Sequence, residues 1–180
     1  NVIKIAKGFS MNVIANSRTQ DAKLEEELGF KFVDLDTLYS QSDIISLHIP
    51  YSEENHHFLN NESFSKMKDG VVIINTARGG LIDTGALITA IKNRKVGFAG
   101  LDVLEEEPLL LEEIEILSKN YEKEKLMHVL EDHVLISFPN VIVTPHNAFN
   151  SHEALSIIYE TTLDNVFAFI GNTPKNVVSL

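Results

Sequence analysis

Short apolar runs and amphipathic stretches follow one another along most of this chain. The runs are Met11 to Ala15, Phe30 to Val33, Asp43 to Ile49, Val71 to Thr76, Phe98 to Val103 and Val141 to Thr144. Several are apolar at consecutive positions rather than alternate ones, which suits strands covered on both faces. Between them lie helical patterns. Thr19 to Leu28 stops at Gly29. Asp83 to Lys95 opens on a capping Asp, carries Leu87, Ala90 and Ile91 on one face, and closes on Lys92, Arg94, Lys95 and Gly97. This alternation predicts an α/β fold built on a doubly wound parallel sheet.

Three segments break the rhythm. Residues 109 to 133, "LLLEEIEILSKNYEKEKLMHVLEDH", form a charged, Leu-rich insertion that predicts two short surface helices. Residues 151 to 170 predict one longer helix with Leu155, Ile158, Thr162, Val166 and Phe169 on a stripe. A docked domain, a second subunit or this same sheet would each cover that stripe. The opening "NVIKIAKG" has the helical spacing of a helix tail, with Gly8 as its C-cap. No strand leads into it, so the chain is expected to open in the middle of a helix.

Composition narrows the partners. An apolar fraction of 44% fits an ordinary globular core, and the absence of cysteine removes disulfides, thiolate metal sites and cysteine nucleophiles. A cytoplasmic location is the expectation. The formal net charge of −11 argues against nucleic acid or an anionic membrane as partner. An anionic small ligand would have to be held by local cations, which screening over about 8 Å permits.

In an open parallel sheet, ligands sit beyond the carboxyl ends of the strands. Arg78, Glu107 and His146 each follow such an end. A guanidinium grips a carboxylate with two parallel hydrogen bonds. A histidine exchanges a proton near neutral pH, and a neighbouring carboxylate fixes its ring. Each residue also has an ordinary alternative: Arg78 as a solvated turn residue, Glu107 as one of three glutamates on a wet face, His146 as a loop hydrogen-bonder. His48 in "SLHIP" fits a packed strand end. His56, His57, His128, His133 and His152 lack metal-ligand spacing and are assigned no function; no metal is expected.

Taken together, the motifs are more specific. "VVIINTARGGLID", "GLDVLEEEP" and "NVIVTPHNAF" stand in this order, preceded by "SDIISLHIPYSEENHHFLN". In register they resemble the D-isomer-specific 2-hydroxyacid dehydrogenases over essentially all 180 residues. The resemblance implies a Rossmann-type sheet and an NAD(P)-dependent oxidoreductase acting on CH–OH donors. It gives Arg78 the substrate carboxylate and polarisation of the keto oxygen. It makes His146 the general acid and base, pairs Glu107 with that histidine, and has Asp102 support the site. It places Ser17, Arg18, His48, Pro50, Thr76, Ala77, Asp102 and His146 against the dinucleotide. The implied substrate is a small 2-keto or 2-hydroxy acid, and the implied assembly a homodimer.

Two features bear on cofactor and boundaries. No two of the nine glycines stand two positions apart, so the family's G-x-G-x-x-G loop is missing. Residues 1–150 are therefore expected to form a nucleotide-binding domain incomplete at its N-terminal side, lacking its first strand and glycine-rich loop. Residues 151–180 are expected to return toward an absent substrate domain. By itself such a chain would be inactive. At the end of the second strand, NAD-using members carry an acidic residue; here Ser17 and Arg18 stand there. That exchange favours NADP, with NAD the alternative. "HNAF" and the long insertion look like the D-lactate dehydrogenase branch, favouring pyruvate. A glyoxylate or hydroxypyruvate reductase, or a co-repressor-type module that senses the dinucleotide, are the alternatives.

Overall fold

A computed structural model describes residues 1–105 and 123–178. The chain forms two compact units, Asn1–Val143 and Thr144–Leu180; the sequence reading puts its division after residue 150. The first unit runs α1 (Val2–Gly8), β1 (Ile14–Ala15), α2 (Ala22–Leu28), β2 (Lys31–Phe32), α3 (Leu35–Gln41), β3 (Ile44–Leu47), α4 (Asn61–Lys66), β4 (Val71–Asn75), α5 (Thr84–Lys92), β5 (Val96–Leu101), α6 (Lys123–Ile136) and β6 (Val141–Val143). The second unit holds α7 (His152–Ile170).

Every strand pair is parallel, as the alternation predicts, but the strands form two sheets among the described residues. One is β1–β2; the other is β3–β4–β5–β6. β1 and β2 are two residues each, shorter than the predicted runs, and each finds its partner in the other. The first part of the insertion lies outside the described residues. Its last part is one helix, α6, which continues past residue 133 to Ile136.

The helix ends are set by local chemistry. The Asp21 carboxylate accepts the Lys23 N–H to start α2, and Gly29 ends it with a left-handed backbone, φ 66°. Asp83 starts α5 as predicted, accepting the Ala86 N–H at 2.8 Å. α1 departs from expectation. Gly8 is its last helical residue and Phe9 is the cap. The left-handed backbone falls on Ser10, φ 60°, where the Met11 N–H closes onto the Ala6 carbonyl.

β4 lies between β3 and β5 and organises the core. Val71 and Ile73 are buried, and so is Asn75; Val72 and Ile74, on the opposite face, are only half-buried. The consecutive apolar run thus marks one fully covered face and one partly covered face, not two covered ones. α5 buries Ala86, Leu87, Ile88, Ala90 and Ile91 in the same core, including the predicted face. Each Leu or Ile so buried stabilises the fold by about 1.5–3 kcal/mol. On α7, Leu155 is half-buried, while Ile158, Val166 and Phe169 of the predicted stripe are exposed. No helix of the described residues is long and apolar enough to cross a membrane.

Candidate functional site

Parallel pairing in register brings four strand ends into one row. Leu47 of β3 lies beside Asn75 of β4, Asn75 beside Leu101 of β5, and Leu101 beside Val143 of β6. The next residues along these strands are His48, Thr76, Asp102 and Thr144. Sequence-distant candidates are therefore collected by the sheet at its carboxyl edge, where open parallel sheets bind ligands.

A cleft of about 510 Å³ opens at the ends of β3 and β4, lined by His48, Ile49, Pro50, Tyr51, Thr76, Ala77 and Arg78. Five of these are predicted site residues. Among the described lining residues, Arg78 carries the one fixed charge and no carboxylate is present. Such a lining suits an anionic ligand in spite of the negative charge of the whole chain. The guanidinium is exposed; its Nη1 donates to the Ala77 carbonyl at 2.6 Å. The Ser46 hydroxyl and His48 Nε2 are 2.8 Å apart, which orients the His48 ring.

The turn that carries Arg78 is closely held. Asn75, 1% exposed, accepts the Ala77 N–H at 3.0 Å and donates from Nδ2 to the Arg78 carbonyl at 2.9 Å. Beyond it, Gly80 accepts the His57 N–H, Leu81 accepts the Leu59 N–H, and Leu59 accepts the Asp83 N–H, each at 2.9 Å. The residues after Arg78 are thereby stitched to a distant stretch of chain.

The remaining predicted residues divide. Asp102 is buried at the end of β5, and its N–H donates to the Asn75 carbonyl at 2.9 Å. Ser17 and Arg18 are exposed just after β1. His146 lies in the second unit, three positions beyond Val143, with a left-handed backbone of φ 49° and its N–H on the Thr144 carbonyl. Glu107 lies outside the described residues.

A second polar cluster escaped the sequence reading. Glu105 Oε1 and His57 Nε2 form a close hydrogen bond, and Glu105 Oε2 accepts from the Thr84 hydroxyl at 2.9 Å. Burial pushes the Glu105 carboxyl up, but hydrogen bonds from His57 and Thr84 outweigh it and hold the group below its ordinary value. The His56 ring stacks on His57 at 3.7 Å, and the Tyr51 hydroxyl lies 3.2 Å from His56 Nδ1. His56, His57 and Glu105 lie close enough together to be considered for a metal ion. The two ring planes are 26° from parallel. Hydrogen bonds and ring stacking are the interactions observed in the cluster.

Residues 1–148 match the family model described as "D-isomer specific 2-hydroxyacid dehydrogenase, NAD binding domain". The chain belongs to the D-isomer-specific 2-hydroxyacid dehydrogenase family. Within that family it is 44% identical to the D-lactate dehydrogenase of Escherichia coli over 168 residues, 92% of this chain and 48% of that protein. It is 38% identical to the glyoxylate reductase of Thermococcus litoralis over 177 residues, 98% of this chain and 47% of that one. The crystal structure of D-lactate dehydrogenase from Aquifex aeolicus complexed with NAD and lactic acid superposes with a TM-score of 0.82 at 38% identity, covering 96% of this chain and 50% of that one. The chain thus spans about half the length of the curated relatives it matches. The expected fold and family are borne out: this is the family's Rossmann-like NAD-binding domain.

Ile49 and Tyr51, which line the cleft, and Asn75, which holds its turn, were absent from the site residues of the sequence reading. Tyr51 lines the cleft four positions beyond the end of β3, where no local pattern distinguishes a lining aromatic from a packed one. Asn75 had a legible signal: an Asn directly at a strand end commonly bonds the backbone two residues on.

Proposed function

We propose that this chain supplies the cofactor-side wall of an oxidoreductase interconverting a 2-keto acid and a D-2-hydroxy acid, of the pyruvate and D-lactate type. The observation that carries the proposal is the cleft at the strand ends, with Arg78 as its one fixed charge among the described lining residues. The relatives named for D-lactate and glyoxylate support the substrate class. The Aquifex aeolicus structure, complexed with NAD and lactic acid, supports the pairing of cofactor and acid.

A bound nicotinamide supplies the hydride in reduction and accepts it in oxidation. The chain's own residues do the rest. Arg78 holds the substrate carboxylate through two N–H donors and draws charge from the keto oxygen. His146 gives a proton to that oxygen in reduction and removes it in oxidation. The family resemblance gives Glu107 the task of stabilising the charged form of that histidine. Thr76, Ala77, His48 and Pro50, with Asp102 at the end of β5, would hold the dinucleotide. The left-handed backbone at His146, costing about 1 kcal/mol, is the kind of local strain that occurs at catalytic positions.

Ser17 and Arg18 favour NADP over NAD. Both are exposed after β1, where a cation accepts a 2′-phosphate and a carboxylate would repel it. The test is pyruvate-dependent oxidation of NADPH and NADH, side by side, by the complete polypeptide that carries this chain. Faster turnover with NADPH supports both parts of the reading. Turnover with NADH alone retains the dehydrogenase and removes the role of Arg18. Absence of turnover with pyruvate, glyoxylate and hydroxypyruvate overturns the enzymatic reading and favours a dinucleotide-sensing module.

A further inference from the structure

The last residue of the central strand is a buried amide in an otherwise apolar row. Asn75 shares its face of β4 with Val71 and Ile73, and all three are buried. A buried amide without partners costs several kcal/mol, of order 2–7, so its presence requires a return. The return is local. Its Oδ1 accepts the Ala77 N–H at 3.0 Å, and its Nδ2 donates to the Arg78 carbonyl at 2.9 Å. Its main-chain carbonyl meanwhile accepts the Asp102 N–H at 2.9 Å.

These contacts decide where Arg78 starts from. The chain leaves β4, bends at Thr76 and Ala77, and presents Arg78 with an extended backbone, φ −149° and ψ 142°. Both main-chain groups caught by Asn75 lie within this bend. One is a donor and the other an acceptor, so the holding group must offer both polarities on one rigid plane. A carboxamide does so; a carboxylate offers acceptors alone, and a hydroxyl is too short to span both groups. Asp at position 75 would set an oxygen against the Arg78 carbonyl oxygen.

We propose that Asn75 is a positioning residue: it fixes the bend from Thr76 to Arg78 and so aims the guanidinium into the cleft for the substrate carboxylate. The inference rests on the substrate-binding role proposed above for Arg78. Asn75 touches neither substrate nor cofactor; it acts through Arg78.

The test is steady-state kinetics on the complete polypeptide with pyruvate, using Asn75→Asp, Arg78→Leu and the double variant, with thermal unfolding as a control. Asn75→Asp is expected to raise KM for pyruvate about tenfold, the effect of one lost hydrogen bond, and to change kcat less. The cofactor Kd should stay nearly constant. In the Arg78→Leu background, Asn75→Asp should add no further rise in KM, because the group it positions is gone. Arg78→Leu raising KM while Asn75→Asp leaves it unchanged overturns this inference alone. An Asn75→Asp effect of the same size with and without Arg78 also overturns it. Arg78→Leu leaving KM unchanged overturns the role of Arg78 and this inference with it. Should Asn75→Asp fail to fold, Asn75→Ser, which keeps an acceptor, takes its place with the same expected pattern. Failure of both to fold makes Asn75 a residue of the fold and overturns the positioning role.

Discussion

Gly79 and the Leu104 carbonyl are in direct backbone apposition: a Cβ added at Gly79 would stand 1.8 Å from that oxygen and 2.2 Å from its carbon. The loop after β5 therefore presses on the residue that follows Arg78. A side chain that is flexible can move aside, but a backbone carbonyl beside a buried strand end cannot do so without shifting its neighbours.

Gly79→Ala should consequently destabilise the chain by about 1–3 kcal/mol, the usual cost of overpacking. Chemical denaturation should show a lower midpoint with an unchanged slope. A midpoint equal to that of the unsubstituted chain would mean the apposition is loose in solution.

Glu105 predicts an acid-sensitive link between the loop after β5 and the start of α5. Its side chain is 7% exposed and is held by His57 and Thr84. In the folded chain the carboxyl titrates below its ordinary 4.5, so on acidification the unfolded chain takes up the proton first. The stabilisation is complete above 4.5 and is lost as pH falls through the lower folded value. Glu105→Gln should cost about 1–3 kcal/mol at neutral pH. The gap between the two proteins should narrow in acid. A gap that widens as pH falls would contradict this.

Leu87 tests the packing of α5 on the sheet. It is 1% exposed and belongs to the same core as Ile73. Leu87→Ala should lower stability by about 2–5 kcal/mol, from lost transfer energy plus the cavity left behind. Loss well under that range would show that neighbouring side chains collapse into the space.

The roles proposed for His146 and Arg78 predict a kinetic signature in the complete polypeptide. His146→Gln should lower kcat by about 100-fold or more, as loss of a general acid does, with little change in KM. Arg78→Leu should damage both parameters, since the proposed carboxylate contact would act in ground state and transition state alike. Small and equal effects from the two substitutions would put the chemistry elsewhere.

Much of this was readable along the chain because its cause is local. Asp83 announces α5 by being a capping residue before an amphipathic run, and Leu87, Ala90 and Ile91 mark the buried face by spacing alone. The apolar run 71–74 marks β4, and Arg78 stands out as a cation directly beyond it. The same local logic failed at Gly8. Which residue of a helix end turns left-handed depends on how the final carbonyls are satisfied, and Ser10 served instead.

The sequence by itself therefore determined the alternation of strands and helices, the family motifs and the candidate residues past the strand ends. The tertiary structure decided what those residues meet. Leu47, Asn75 and Leu101 become neighbours through ladder register. His57 finds Glu105 across 48 positions, and Gly79 finds Leu104. None of these pairings leaves a periodic trace, because hydrogen-bond geometry and close packing act through space. Periodicity records which face of an element is buried; it carries no record of the atom waiting on the other side.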